Sequence, residues 1–116
     1  MSKVRLKRVY DPPGPEDGTR ILIDRLWPRG LTHDVAKVDQ WLKDVAPSAE
    51  LRRWFGHDPA KWAAFRERYE AELAHNPALE ELRALIRRDK HVTLLFGAKD
   101  VEHNNAVVLR EVCARR

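Results

Sequence analysis

The sequence predicts a single α/β domain in which a short, mainly parallel sheet is layered with helices. Two apolar runs, "ILI" at residues 21–23 and "VTLLF" at residues 92–96, suit strands buried on both faces. Between them lies a long block whose apolar residues recur at helical spacing. Two buried strands separated by helices imply a parallel pair joined by a crossover, which is a layered α/β arrangement. With 116 residues, 43% of them hydrophobic, the chain suffices for one sizeable core and is too short for two ordinary domains.

Residues 3–10, "KVRLKRVY", place Val4 and Leu6 on one face and Lys3, Arg5 and Lys7 on the other, the pattern of a half-exposed strand. "DPPGPEDG" then sets three prolines and two glycines in eight residues, an exposed loop. Residues 20–25 are the second strand. Thr32 can cap a helix carrying Val35, Val38, Trp41, Leu42 and Val45, which Pro47 ends. Ser48 can cap a short second helix with Leu51, Trp54 and Phe55 on one side, stopped by Gly56. Asp58 and Pro59 open a third, in which Trp62, Phe65, Tyr69 and Leu73 recur at spacings of three and four. Asn76 and Pro77 repeat that start before Leu79, Leu82, Leu85 and Ile86. A third strand at 91–97 is followed by a helix that Asp100 can cap, with Ala106, Leu109 and Cys113 inward. Thus a helical block stands between the second and third strands.

The bulk properties narrow the function classes. No stretch of about 18 apolar residues exists to span a membrane, and the first ten residues lack a secretory hydrophobic segment, so a cytoplasmic protein is expected. One cysteine, Cys113, excludes an intramolecular disulfide and a zinc site of several cysteines. The net charge of +4 favours anionic partners, although acidic and basic residues interleave along much of the chain.

In open α/β sheets ligands bind beyond the carboxyl ends of the strands, where loops diverge and helix N-termini point inward. The second strand ends in Asp24, Arg25, Trp27 and Arg29; the third ends in Lys99 and Asp100, followed by His103, Asn104 and Asn105. If the strands are neighbours, these sets converge on one crevice. Arg25, Arg29 and Lys99 then suit a small anion, because guanidinium is a planar, permanently charged fork. Asp24 and His103 are the acid–base candidates, with Asn104 and Asn105 orienting a ligand. Asp24 and Arg25 serve equally well as a salt bridge neutralising strand-end charge, and His103 as a side chain bonding a backbone carbonyl. Trp27 either packs or stacks on a ligand. The stretch "WFGHDP" is explained as a helix stop and a new cap except for His57, a further candidate for the crevice lining.

The dinucleotide, P-loop, zincin and hydrolase signatures are absent, and the five histidines never pair at metal-ligand spacing. No cofactor or metal is called for.

"ILIDRLWPRG", "WFGHDPAKWAAF" and "LLFGAKDVEHNNAVVL" together resemble the domain-of-unknown-function 488 family (DUF488), in its short YeaO-like members, over nearly the whole chain. The resemblance implies a Rossmann-like three-layer domain of unassigned activity, bacterial in type. Longer relatives carry an Asp-Val-Arg segment after the second strand, an "LLC" strand and a "CHR" helix start. Here the matching positions are Asp24 and Arg25, then Phe96 in place of the cysteine, then His103 to Asn105.

The leading expectation is therefore a protein binding a small phosphate- or nucleotide-like anion, as a binder or as an enzyme. The alternative is a nucleic-acid accessory protein using Lys3, Arg5, Lys7, Arg115 and Arg116. A third is an interaction module contacting a partner through Trp41.

Overall fold

The most continuously apolar strand takes the most enclosed position. In the computed structural model, which describes residues 3–115, the strands are β1 (Lys3–Arg8), β2 (Thr19–Leu22), β3 (Gln40–Trp41) and β4 (His91–Phe96). They form one all-parallel sheet in the order β1-β4-β2-β3. β4 pairs with β1 through Val4 to Val92 and Leu6 to Leu94, and with β2 through Ile21 to Leu94 and Leu22 to Leu95. The two apolar runs are thus parallel neighbours, as the crossover requires.

Five helices accompany the sheet: α1 (His33–Ala36), α2 (Ala49–Phe55), α3 (Trp62–Leu73), α4 (Ala78–Arg88) and α5 (Asn105–Ala114). Alternation along the strands divides the apolar side chains between two layers. Ile21, Ile23, Val92, Leu94 and Phe96 join Leu51, Phe55, Phe65, Tyr69, Leu82 and Leu109 in the main core, under α2 to α5. Leu22, Leu95 and Val9 face the other way, covered by Ala36 of α1 with Trp27, Leu31 and Val38. The third layer is thin. Buried Tyr69 keeps its hydroxyl satisfied by donating to the Val45 carbonyl.

Most caps lie where the residue types place them. Ser48 accepts from the Leu51 N–H at the start of α2, and Gly56 ends it with φ 54°. Asp58 and Asn76 accept from the N–H groups of Ala60 and Ala78.

Three expectations are corrected. The helix expected from Thr32 through Val45 is only one turn long. Thr32 caps α1, but Lys37 turns left-handed at φ 53°, and the chain then pairs with β2 as β3. Tertiary hydrogen bonds override the helical period: Asp39 N–H donates to the Arg20 carbonyl, Leu42 N–H to the Leu22 carbonyl, and the Arg20 side chain caps the carbonyls of Ala36 and Lys37. Second, Asp100 caps a turn, accepting from the N–H groups of Glu102 and His103; α5 begins five residues later with Asn104 as its cap. Third, β2 stops at Leu22, so Asp24 and Arg25 follow the strand.

The second face also carries a polar cluster. Arg20, 4% exposed, bonds Asp17 at 2.5 Å, the Ala36 carbonyl at 2.7 Å and the Lys37 carbonyl at 3.0 Å. Lys7 joins at 3.1 Å from Asp17, and Thr93 donates to the Asp17 carbonyl at 2.7 Å. Burial works to raise the Asp17 carboxyl, but hydrogen bonds from the Gly14 N–H, Lys7 and Arg20 more than offset it and hold it below its ordinary value. Gly18, at φ 65°, lets this loop approach β4; a Cβ there would lie 2.2 Å from the His91 carbonyl oxygen.

Candidate functional site

Beyond the carboxyl ends of β2 and β4 a crevice of about 270 Å³ opens between the two strand ends, the end of α2 and the start of α5. Its frame is the turn after Phe96. Arg8 on β1 fixes that turn by donating to the carbonyls of Ala98 at 2.9 Å and Gly97 at 3.4 Å. Gly97 eases the close approach: its N–H donates to Asp24 Oδ2 at 2.8 Å, and a Cβ there would stand 3.2 Å from that oxygen.

Asp24 is held on three sides. Besides Gly97, Asn105 Nδ2 donates to its Oδ1 at 3.1 Å, and Trp41 Nε1 donates to its carbonyl at 2.8 Å. Burial raises the Asp24 carboxyl above its ordinary value, against the opposing hydrogen bonds from Asn105 and Gly97 and the charges of Arg52 and His57. No ion pair joins Asp24 to Arg25 among the described residues, so the salt-bridge expectation is not met.

Arg25 and Arg52 both line the crevice, and the Nε atom of each is buried without a hydrogen-bond partner. Neither forms an ion pair among the described residues. Buried polar groups are normally satisfied, so one unmatched Nε on each of these two arginines is unusual. Arg83 Nε is also unmatched, but the other nitrogens of Arg83 bond Glu80 and the Val112 carbonyl.

His103 lines the same space. Its Nδ1 lies 2.9 Å from Asp100 Oδ2 and its ring meets the edge of Trp62 at 5.3 Å, which fixes the ring and leaves Nε2 as its other polar atom. Asn104, 3% exposed, caps α5 by accepting from the Val107 N–H and donates to the Asp100 carbonyl, a structural task. His57 enters the lining from a left-handed backbone, φ 58°, directly after left-handed Gly56. That conformation is costly for a residue with a side chain. Phe55 and Phe65, stacked at 4.2 Å, supply an apolar wall.

Of the residues singled out in the sequence, the crevice gathers Asp24, Arg25, His57, His103, Asn104 and Asn105. Arg29 and Lys99 are exposed and stand outside its lining, with the Arg29 carbonyl accepting from Tyr10. Trp27 also lies outside: it stacks on His33 at 4.0 Å, meets Trp41 edge-on at 5.4 Å and donates to the Leu31 carbonyl. Arg52 escaped the sequence reading; its signal was its place one turn before the Phe55-Gly56 stop that turns toward the strand ends. Of the basic residues of the nucleic-acid alternative, Lys7 pairs with Asp17 and Arg115 with Glu70, Arg5 is exposed, and Arg116 lies outside the described residues. Lys3 begins β1. No group of three or more potential metal ligands occurs among the described residues, and no helix among them is long and apolar enough to cross a membrane.

A family model described as the inactive DUF488-N3 subclade matches residues 3–116. The chain is 44% identical over 108 residues to the uncharacterized protein YeaO of Escherichia coli K12, spanning 93% of this chain and 94% of that one. It is 43% identical over 111 residues to uncharacterized proteins of Mycobacterium tuberculosis and Mycobacterium bovis, spanning 96% of this chain and 93% of theirs. No solved structure gives a significant match.

Proposed function

Because the chain belongs to the DUF488 family, in the subclade described as inactive DUF488-N3, we propose that it binds a small phosphate- or nucleotide-like anion in the crevice, as a binding protein. The observation that carries this reading is the pair of guanidiniums, Arg25 and Arg52, which line one cavity with no carboxylate in pairing range among the described residues. An anion accepting from both would satisfy them with charge-assisted hydrogen bonds. The N-terminus of α5 at the same place adds the positive end of its dipole.

Asp24, His57 and His103 bring a carboxyl and two imidazoles to the crevice, but the family description favours binding over turnover. In this reading Asp24 and Asn105 orient the ligand, while Asp100 holds His103 at the rim. The basic-surface alternative has less behind it, since Lys7 and Arg115 already have carboxylate partners.

A thermal-shift series against inorganic phosphate, small carboxylates, nucleotides and short oligonucleotides at two salt concentrations tests the reading. A ligand at about 100 times its dissociation constant adds about 2.7 kcal/mol to stability. The expected result is a salt-tolerant shift with a small anion that Arg25→Met and Arg52→Met each cut to about half or less. A shift with oligonucleotides alone, vanishing at higher salt, would overturn it in favour of the basic surface.

A further inference from the structure

Resting on the anion site just proposed, we infer that its ligand is a small hydroxylated phosphate monoester, gripped at the phosphate by Arg25 and Arg52 and at its hydroxyls by Asp24 and Asn105. The crevice has two chemically distinct edges. One is purely donating: the two guanidiniums. A phosphate monoester carries about −1.5 to −2 charges near neutral pH, which matches two guanidiniums better than a carboxylate does.

The other edge is accepting. Asn105 commits its amide nitrogen to Asp24 Oδ1 and, at 3.4 Å, to the Ile23 carbonyl, so its Oδ1 is left as an acceptor. Each Asp24 oxygen receives one protein hydrogen bond, from Gly97 or Asn105, and an ionised carboxylate has about four lone-pair sites, so acceptor capacity remains. A bare anion would leave this edge without donors. Hydroxyl groups on the same molecule fill it.

Size and walls narrow the class further. About 270 Å³ lies just below the roughly 300 Å³ at which drug-sized pockets begin, enough for a phosphate on one sugar-sized body and small for a dinucleotide. The stacked Phe55 and Phe65 and the side chain of Leu26 offer apolar surface to the carbon face of such a body.

Isothermal titration of the full chain with inorganic phosphate, methyl phosphate and ribose 5-phosphate separates the two layers of the inference. Ribose 5-phosphate is expected to bind at least about tenfold more tightly than methyl phosphate, the worth of one or two hydrogen bonds. Asp24→Asn should shrink that preference several-fold. If circular dichroism shows that Asp24→Asn does not fold, Asn105→Ala reads the same edge. Equal affinity for methyl phosphate and ribose 5-phosphate overturns the hydroxyl inference and leaves the anion site standing. A ribose preference that survives both substitutions also overturns it. No heat with any of the three, from folded protein, overturns the anion site as well.

Discussion

Arg20 and Arg25 flank the same buried run, residues 21–23, yet they live in opposite electrostatic circumstances. Arg20 is nearly inaccessible and bonded through all three guanidinium nitrogens to Asp17 and two carbonyls. Arg25 has a buried Nε with no partner and no carboxylate in pairing range among the described residues. The difference separates a charge whose donors the fold satisfies from one that, in the proposed reading, a ligand completes. Arg20 is buried and Arg25 half-buried, and they differ most in whether their donors are satisfied.

The contrast breaks if the two arginines respond alike to substitution. Arg20→Met leaves Asp17 with Lys7 as its remaining charged partner and frees the carbonyls that end α1, so it should cost about 2–4 kcal/mol in urea unfolding. A loss below about 1 kcal/mol would show that the cluster is not structural. Arg25→Met and Arg52→Met should leave stability within about 1 kcal/mol of the parent, because each removes an unsatisfied buried donor. In the proposed reading their effect falls on affinity for the small anion, with a loss of about tenfold or more by titration.

Gly97→Ala sharpens the comparison at smaller scale. The new Cβ must push Asp24 Oδ2 by a few tenths of an ångström, weakening one hydrogen bond at a cost of about 0.5–1.5 kcal/mol. Asp17, the partner of Arg20, is left untouched.

The smallest effect is the pH response of the two carboxylates, and its signs are opposite. Asp17 is held below its ordinary value of 3.8, so its contribution is complete above that value and is lost as pH falls through the depressed folded pKa. Asp24 is raised above 3.8, so over the window from 3.8 up to its folded pKa the native state keeps a proton that the unfolded chain has released. Stability therefore declines as pH rises through that window. Urea midpoints of parent and Asp24→Asn, taken from about pH 3 to about pH 7, should show the variant without that decline; parallel curves would refute the raised carboxyl.

Local patterns carried much of the fold. The two apolar runs, the Ser48 cap and the Asp58-Pro59 start depend on residues within a few positions, and they sit where the sequence puts them. The segment after Thr32 did not follow its period, because its partners are distant: Arg20, from the preceding strand, seals the end of α1, and β2 recruits Gln40 and Trp41. The crevice was legible where it drew on strand ends, as with Asp24, Arg25, His103 and Asn105. Arg52 was invisible for the reason that misled the segment after Thr32. Its value lies in a packing of α2 against the strand ends that no short stretch encodes.

The sheet order has a consequence for the timing of assembly. β4 supplies the partner for both β1 and β2, and its register joins residue 3 to residue 91. A growing chain therefore carries two strands that cannot pair through β4 until residue 96 has been made. Pairings this distant are slow to form, because the loop must close before any contact rewards it. The centre of the sheet and the crevice at its carboxyl edge, both built on the last strand, therefore form together.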